Sequence, residues 1–318
     1  MIAMQQIATP HSCEPMKSNR INFLTIVALL LAVMTLSAQQ PKTDANMLNE
    51  LKAKAEQGDA KAQCSLGLIY CNGEGVAKDY SEALKWLSKA AEQGDAKAEY
   101  NLGVCCERGE GVEKNLAEAV ALYRRAAEKG NAKAQSNLGV CYYNGWGVAK
   151  SLEEAVRWYR KSAEQGHARA QRNLGVCYAI GAGVAKDLIE AEKWYRKAAQ
   201  LGDVGAQYNL GVACYKGQGI PKNVTEAAKW FRSAVEQDHV AAKFNLGICY
   251  LYGEGVSKDE VEACKWISLS AAQGHSDAKK ALPTVEGQLA SSQIAEAQRL
   301  VRAYKPRKPP EEGGFDSN

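Results

Sequence analysis

Residues 94–129 read GDAKAEYNLGVCCERGEGVEKNLAEAVALYRRAAEK, and this pattern occurs six times at a spacing of 36 residues, with no insertion or deletion. The dipeptide Leu-Gly marks the copies at Leu66, Leu102, Leu138, Leu174, Leu210 and Leu246. A fixed period of this length marks a repeat array, in which each unit is one supersecondary element touching its neighbours. The chain of 318 residues could hold two ordinary domains. The array fills 58–273 without a break, which predicts one elongated domain.

Each unit reads as two helices. In the copy quoted, Asp95 sits where a first helix begins, and Asp59, Asn131, His167, Asp203, His239 and His275 are its counterparts. Asp and Asn accept from the free N–H groups of a first turn. Ala98, Leu102 and Cys105/Cys106 then share one helical face. A Gly-x-Gly at 109/111 stops the helix and recurs at 73/75, 145/147, 181/183, 217/219 and 253/255. The second helix opens at Asn115, equivalent to Asp79, Ser151, Asp187, Asn223 and Asp259. A Glu follows three residues later in every copy, the spacing of a capping box. Trp86, Trp158, Trp194, Trp230 and Trp266 fill the large slot of its buried stripe. Glycine ends it at 94, 130, 166, 202 and 274, in the position of a left-handed cap; Asp238 is the exception. A glycine inside the first helix costs about 1 kcal/mol against Ala. Its recurrence at Gly67, Gly103, Gly139, Gly175, Gly211 and Gly247 predicts close approach of the second helix, with Ala83 and its equivalents opposite.

The ends read differently. Residues 46–57 resemble an extra second helix that covers the front of the stack. A partial repeat and a final helix over 274–304, interrupted at Pro283, cover the rear, since terminal units must hide exposed core. From Lys305 to Asn318 the chain has almost no apolar content, which predicts a disordered tail. At the front, Lys17 and Arg20 precede an apolar run from Phe23 to Leu36, followed by Ser37 and Ala38. This order is that of a signal peptide over 1–38, cleaved after Ala38, and it predicts a periplasmic or secreted protein. The run is short for a membrane span, so a membrane contact is expected only if this segment is retained. Met16 directly precedes the basic pair, and a start there would leave 1–15 as an unused upstream extension.

The chain holds ten cysteines. Cys105, Cys141, Cys177 and Cys249 share one slot on the face of the Leu, and stacked helices place equivalent positions about 8–10 Å apart. A disulfide needs Cα atoms within about 7 Å, so these four read as small buried hydrophobes. Cys13 falls in the signal segment, while Cys64, Cys71, Cys106, Cys214 and Cys264 remain open as partners of one another. The net charge of +4 is spread over interspersed Lys and Glu, which argues against nucleic-acid binding.

The strings Asn-Leu-Gly-Val-Cys-Tyr, Gly-x-Gly-Val-x-Lys-Asp and Glu-Ala-x-Lys-Trp-Tyr-Arg-Lys-Ala-Ala-Glu-Gln-Gly resemble the Sel1-like repeat, a relative of the tetratricopeptide repeat. The resemblance covers about two-thirds of the chain. It implies an all-α, right-handed α-α superhelix of helix-turn-helix repeats, acting as a scaffold or adaptor. By analogy with the tetratricopeptide relatives, the first helix lines a concave groove. The cysteine-rich secreted branch pairs two cysteines across each helix junction, and this chain lacks such a regular pair.

Three slots of the first helix vary most among the copies. One holds Cys64, Tyr100, Ser136, Arg172, Tyr208 and Phe244. The next holds Cys71, Glu107, Tyr143, Ala179, Tyr215 and Leu251. The last holds Asn72, Arg108, Asn144, Ile180, Lys216 and Tyr252. Units that agree elsewhere and differ here suggest a surface free of scaffold duty, rich in the residue types of binding hot spots. Tyr100, Arg108, Tyr143, Arg172, Tyr208, Tyr215, Lys216, Phe244 and Tyr252 are therefore the expected anchors for a protein or peptide partner.

Other chemistry is weaker. His167, His239 and His275 occupy cap slots, too far apart for one metal ion. Gly-x-Gly without a preceding strand or a third glycine is no nucleotide loop. Ser276-Asp277-Ala278-Lys279 has the Ser-x-x-Lys spacing of β-lactam-directed serine hydrolases, without their companion motifs. An envelope hydrolase or a glycan-binding protein is the alternative reading. No cofactor is expected. The lysine before each second helix (Lys78, Lys114, Lys150, Lys186, Lys222, Lys258) reads as a solvated edge, and Trp146 as an exposed loop side chain.

Overall fold

The structure, a computed structural model, describes residues 46–306. The expected signal peptide and the tail from Arg307 onward lie outside the described residues. The chain divides into two units, Met1–Glu50 and Leu51–Asn318. Of the first, the described part is the opening of helix α1 (46–56). The second carries the remainder of α1 and all the repeats.

Six hairpins follow, each of a helix A and a helix B: α2 (Ala60–Asn72) with α3 (Tyr80–Glu92), α4 (Ala96–Arg108) with α5 (Leu116–Glu128), and α6 (Ala132–Asn144) with α7 (Leu152–Glu164). Then come α8 (Ala168–Ile180) with α9 (Leu188–Gln200), α10 (Val204–Lys216) with α11 (Val224–Glu236), and α12 (Val240–Tyr252) with α13 (Glu260–Ala272). Helices α14 (Ser276–Glu286) and α15 (Ser291–Ala303) close the rear, both packed on α13. The described residues are helices and turns, an all-α helical repeat superhelix. Helix α14 runs through Pro283, where the sequence suggested an interruption. The proline stands in the last turns, where losing one N–H costs little continuation.

The local signals act as read, with two refinements. Each helix A is capped by the expected side chain: Asp95 Oδ1 accepts from Ala98 N at 2.7 Å, and His239 Nδ1 from Ala242 N at 3.1 Å. At helix B, Asn115 Oδ1 accepts from Glu118 N at 3.0 Å, but the reciprocal half of the expected capping box is not made. The cap's own N–H already donates to helix A, as from Asn115 N to Cys106 O at 2.8 Å and Asp187 N to Tyr178 O at 2.9 Å. The Glu carboxylate turns instead to lysines, arginines and the Trp, as Glu82 does to Lys85 and Trp86.

The helix A glycines do mark a close approach. A Cβ on Gly139 would lie 2.6 Å from the Tyr159 ring, and 3.3 Å from the Ala155 carbonyl oxygen. The large residue after the Trp slot, which holds Leu122 in the second repeat (Leu87, Tyr123, Tyr159, Tyr195, Phe231 or Ile267), thus fills the space, more closely than the expected alanine. The second glycine of the loop has a stricter duty at Gly147, Gly183, Gly219 and Gly255. A Cβ on Gly183 would sit 2.2 Å from the Leu152 carbonyl oxygen of the preceding helix B, and Gly147 meets Leu116 in the same way. Backbone presses on backbone there, at a positive φ of 71° for Gly183. Asp238, at the one cap without glycine, takes φ 68°, the only positive φ among described non-glycine residues.

A buried polar junction ties each hairpin to the helix before it. Gln135 Nε2 donates to Ala127 O at 3.0 Å, and Gln135 Oε1 accepts from Gln165 Nε2 at 2.7 Å. Gln63 with Gln93 and Gln207 with Gln237 repeat the arrangement. In the second repeat Glu99 stands in the slot, fully buried, with Arg125 at 2.6 Å and Lys129 at 2.9 Å. In the sixth it is Lys243, also buried, which donates to Gln273 Oε1 at 2.7 Å and pairs with Asp238. The slot changes from amide to anion to cation, and its partner changes with it. In these repeats the buried group thus keeps at least one polar partner across the junction, although Glu99 Oε2 is left without one.

Candidate interaction surface

The three variable slots of helix A behave differently. The first is not a free surface, a correction to the expectation. Three of its residues press against the cap of the next helix A. Arg172 Nε pairs with Asp203 at 3.0 Å, the Tyr208 ring stacks on His239 at 4.6 Å, and the Phe244 ring on His275 at 4.9 Å. Tyr100 is buried, 5.9 Å from the Tyr123 ring, and Tyr208 leans on Phe231 at 6.3 Å in the same way. Tyr100 is therefore no open anchor, and Arg172, Tyr208 and Phe244 serve the stacking of repeats. At these three positions the side chain matches its cap: Arg172 meets an Asp, and the rings of Tyr208 and Phe244 meet a His.

The second slot is half-buried at Tyr143, Tyr215 and Leu251. The Tyr215 hydroxyl donates to Glu254 in the loop of the next repeat, which with burial pushes the phenol up to about 12. Glu107 accepts from the Tyr123 hydroxyl. The third slot is exposed in five successive repeats, at Arg108, Asn144, Ile180, Lys216 and Tyr252. Ile180 is 61% exposed and Tyr252 68%. Ile180 was not among the expected anchors; the available signal was an apolar residue in a slot that otherwise holds mostly polar ones. Trp146 is exposed at the loop edge as expected.

On helix B, lysines lie over the tryptophan rings: Lys89 on Trp86 at 4.5 Å, Lys161 on Trp158 at 4.4 Å and Lys197 on Trp194 at 4.3 Å. Their stems cover the ring while the ammonium meets its face.

None of the nine described cysteines forms a disulfide. Burial pushes Cys177 and Cys249 up to about 11, which keeps them protonated and unreactive. Ser276 and Lys279 are both exposed on the first turn of α14, directly after the His275 cap. Among the described residues no cluster of three His, Cys, Asp or Glu could hold a metal ion. No described helix is long and apolar enough to cross a membrane.

Paired helices, stacked through capped hairpins, define a helical repeat solenoid. The Sel1 repeat profile matches six times in succession, at 60–95, 96–131, 132–167, 168–203, 204–239 and 240–275, and the chain belongs to that family. Its members are typically protein-interaction scaffolds and generally non-catalytic. The chain is similar to a protective antigen of uropathogenic Escherichia coli strains with this fold, at 38% identity over 80% of this chain, TM-score 0.72. It spans 55% of that antigen's length. It is also similar to a Sel1 repeat protein from Oxalobacter formigenes, at 34% identity over 75% of this chain and 96% of that one, TM-score 0.66. No curated protein matches it.

Proposed function

We propose that this protein is an exported, non-catalytic scaffold that binds a protein or peptide partner along the last turns of its A helices, on the side that is concave in this class of solenoid. One observation carries the reading: the row Arg108, Asn144, Ile180, Lys216 and Tyr252 is exposed and does not repeat, in units that otherwise agree. Half-buried Tyr143, Tyr215 and Leu251 form its inner border. An aromatic or aliphatic side chain held on a rigid helix loses little entropy on binding, which suits Tyr252 and Ile180 to anchor a partner. Export rests on the basic-apolar-small order of residues 17–38.

A photo-crosslinking residue placed at 180 or at 252, and in parallel at Arg157 on helix B, tests the surface. The proposal expects one discrete adduct in native extract from the first two sites and none from the third. Equal labelling from all three would sink it. Export is tested by the N-terminal sequence of mature protein from the native host, expected to begin at Gln39.

A further inference from the structure

The half-buried slot of helix A has one small member. The large residue after the Trp slot of helix B is a tyrosine in the second, third and fourth repeats, at Tyr123, Tyr159 and Tyr195. The half-buried slot of the same repeats holds Glu107, Tyr143 and Ala179. In the second repeat the Tyr123 hydroxyl donates to the Glu107 carboxylate, and the Asn137 amide bonds to the same phenol from the next helix A. In the fourth, Ala179 offers neither bulk nor an acceptor. A recess of about 150 Å³ lies there, lined by Ala179, Tyr195 and Asn209 (the equivalent of Asn137), with Tyr208 and Val212 as apolar walls. At ~30 Å³ per water this is room for about five waters, or for one side chain of the size of glutamate.

Two polar side chains in this lining are unanswered. Tyr195 is 7% exposed, and its hydroxyl has no hydrogen-bond partner among the described residues. Burial pushes the phenol up to about 12, so at neutral pH it is a donor. The Asn209 amide is likewise without a partner among the described residues. Glu192 also lines the recess, but Arg196 answers its charge at 2.6 Å. A buried donor without an acceptor favours whatever brings one, and an ionised acceptor most of all. The recess adjoins the exposed row. Ile180 follows Ala179 directly, and Gln218 at the recess is two residues beyond Lys216. Lys216 is exposed and makes no ion pair among the described residues, which complements an acidic partner.

We propose that the recess at Ala179 receives a glutamate side chain of the bound partner, whose carboxylate accepts from the Tyr195 hydroxyl as Glu107 does from Tyr123. Asn209 adds a second donor, and Lys216 meets further acidic residues of the same segment. This site rests on the surface proposed above and gives it a preference for an acidic peptide segment. The second and third repeats carry Glu107 and Tyr143 in the slot, so of the three tyrosine repeats the fourth alone is left open to an occupant from outside.

In the purified full chain, Ala179→Glu supplies the acceptor from within and raises the melting temperature, and Tyr195→Phe cancels that gain. No gain, or one that Tyr195→Phe leaves intact, overturns the proposal. A photo-crosslinking residue at 180 then reads the partner in native extract. Ala179→Glu, which occupies the recess, and Tyr195→Phe, which keeps the ring, each lower the adduct about tenfold, the loss of one hydrogen bond to a charged group. Fragmentation of the adduct places a glutamate in the crosslinked segment. No adduct from the otherwise unchanged chain overturns the surface and the recess together. An adduct of equal yield in all three chains keeps the surface and overturns the recess alone, and so does a crosslinked segment without an acidic residue.

Discussion

Gln171 and Lys243 occupy the same slot two repeats apart, and their surroundings differ in one respect. Lys243 has its partners: Asp238 and Gln273 both reach it. Gln171 donates to Ala163 O at 3.1 Å, but its Oε1 is buried without a partner. The residue that would answer it, in the position of Gln93, Lys129, Gln165, Gln237 and Gln273, is Leu201, whose side chain is 58% exposed. Residue identity at this junction is therefore free, provided that the pair changes together. The fourth repeat has lost one half of the pair and tolerates an unsatisfied amide, a cost of about 1–3 kcal/mol.

Changes at a place where no substitute partner exists set the upper end of the scale. Gly183→Ala forces a methyl into the Leu152 carbonyl at a left-handed φ, and should cost about 3 kcal/mol or more, read as a lowered midpoint of urea unfolding. The charged junction comes next. Lys243→Met leaves Gln273 Oε1 unanswered and the partly exposed Asp238 without its cation, for a loss of about 2 kcal/mol. Lys243→Gln should cost markedly less, because the amide rebuilds the pair found in other repeats; equal losses for the two would refute pairing as the rule. At the other junction the sign reverses. Leu201→Gln supplies the missing donor and should stabilise by about 1 kcal/mol, a raised melting temperature.

Smaller effects follow at the caps and the surface. Burial, with Arg172 and Lys243 nearby, holds His239 below its ordinary value of 6.5. Between the two values the unfolded chain binds more protons than the fold. Stability is then complete above the unfolded value and is lost as pH falls through the folded one. Protonation also removes the Nδ1 acceptor that caps α12. His239→Asn, with the cap that Asn131 already provides, should lessen the fall in melting temperature between about pH 7.5 and about pH 5.5. Tyr252→Ala should leave stability within about 0.5 kcal/mol and weaken only partner capture at that site.

Much of this was legible in the chain. The period of 36, the caps and the paired glycines specified helices, hairpins and their order, because each is a short-range demand of backbone hydrogen bonding and φ. The buried cysteine slot and exposed Trp146 could also be read one repeat at a time. The variable slots could not be sorted that way. Variation looks the same whether a side chain meets solvent or meets a partner that varies with it. Arg172 faces Asp203 and Tyr208 faces His239 across a distance of 31 residues, so only stacking revealed that these side chains are engaged by the next repeat. The capping box failed for a similar reason, since a carbonyl of the neighbouring helix had already taken the N–H that the local motif reserves.

The sequence by itself determined the repeating unit, because its signals act within a few residues. The tertiary structure alone decided which of the non-repeating side chains are free, because that depends on what the next hairpin, one full period away, brings against them.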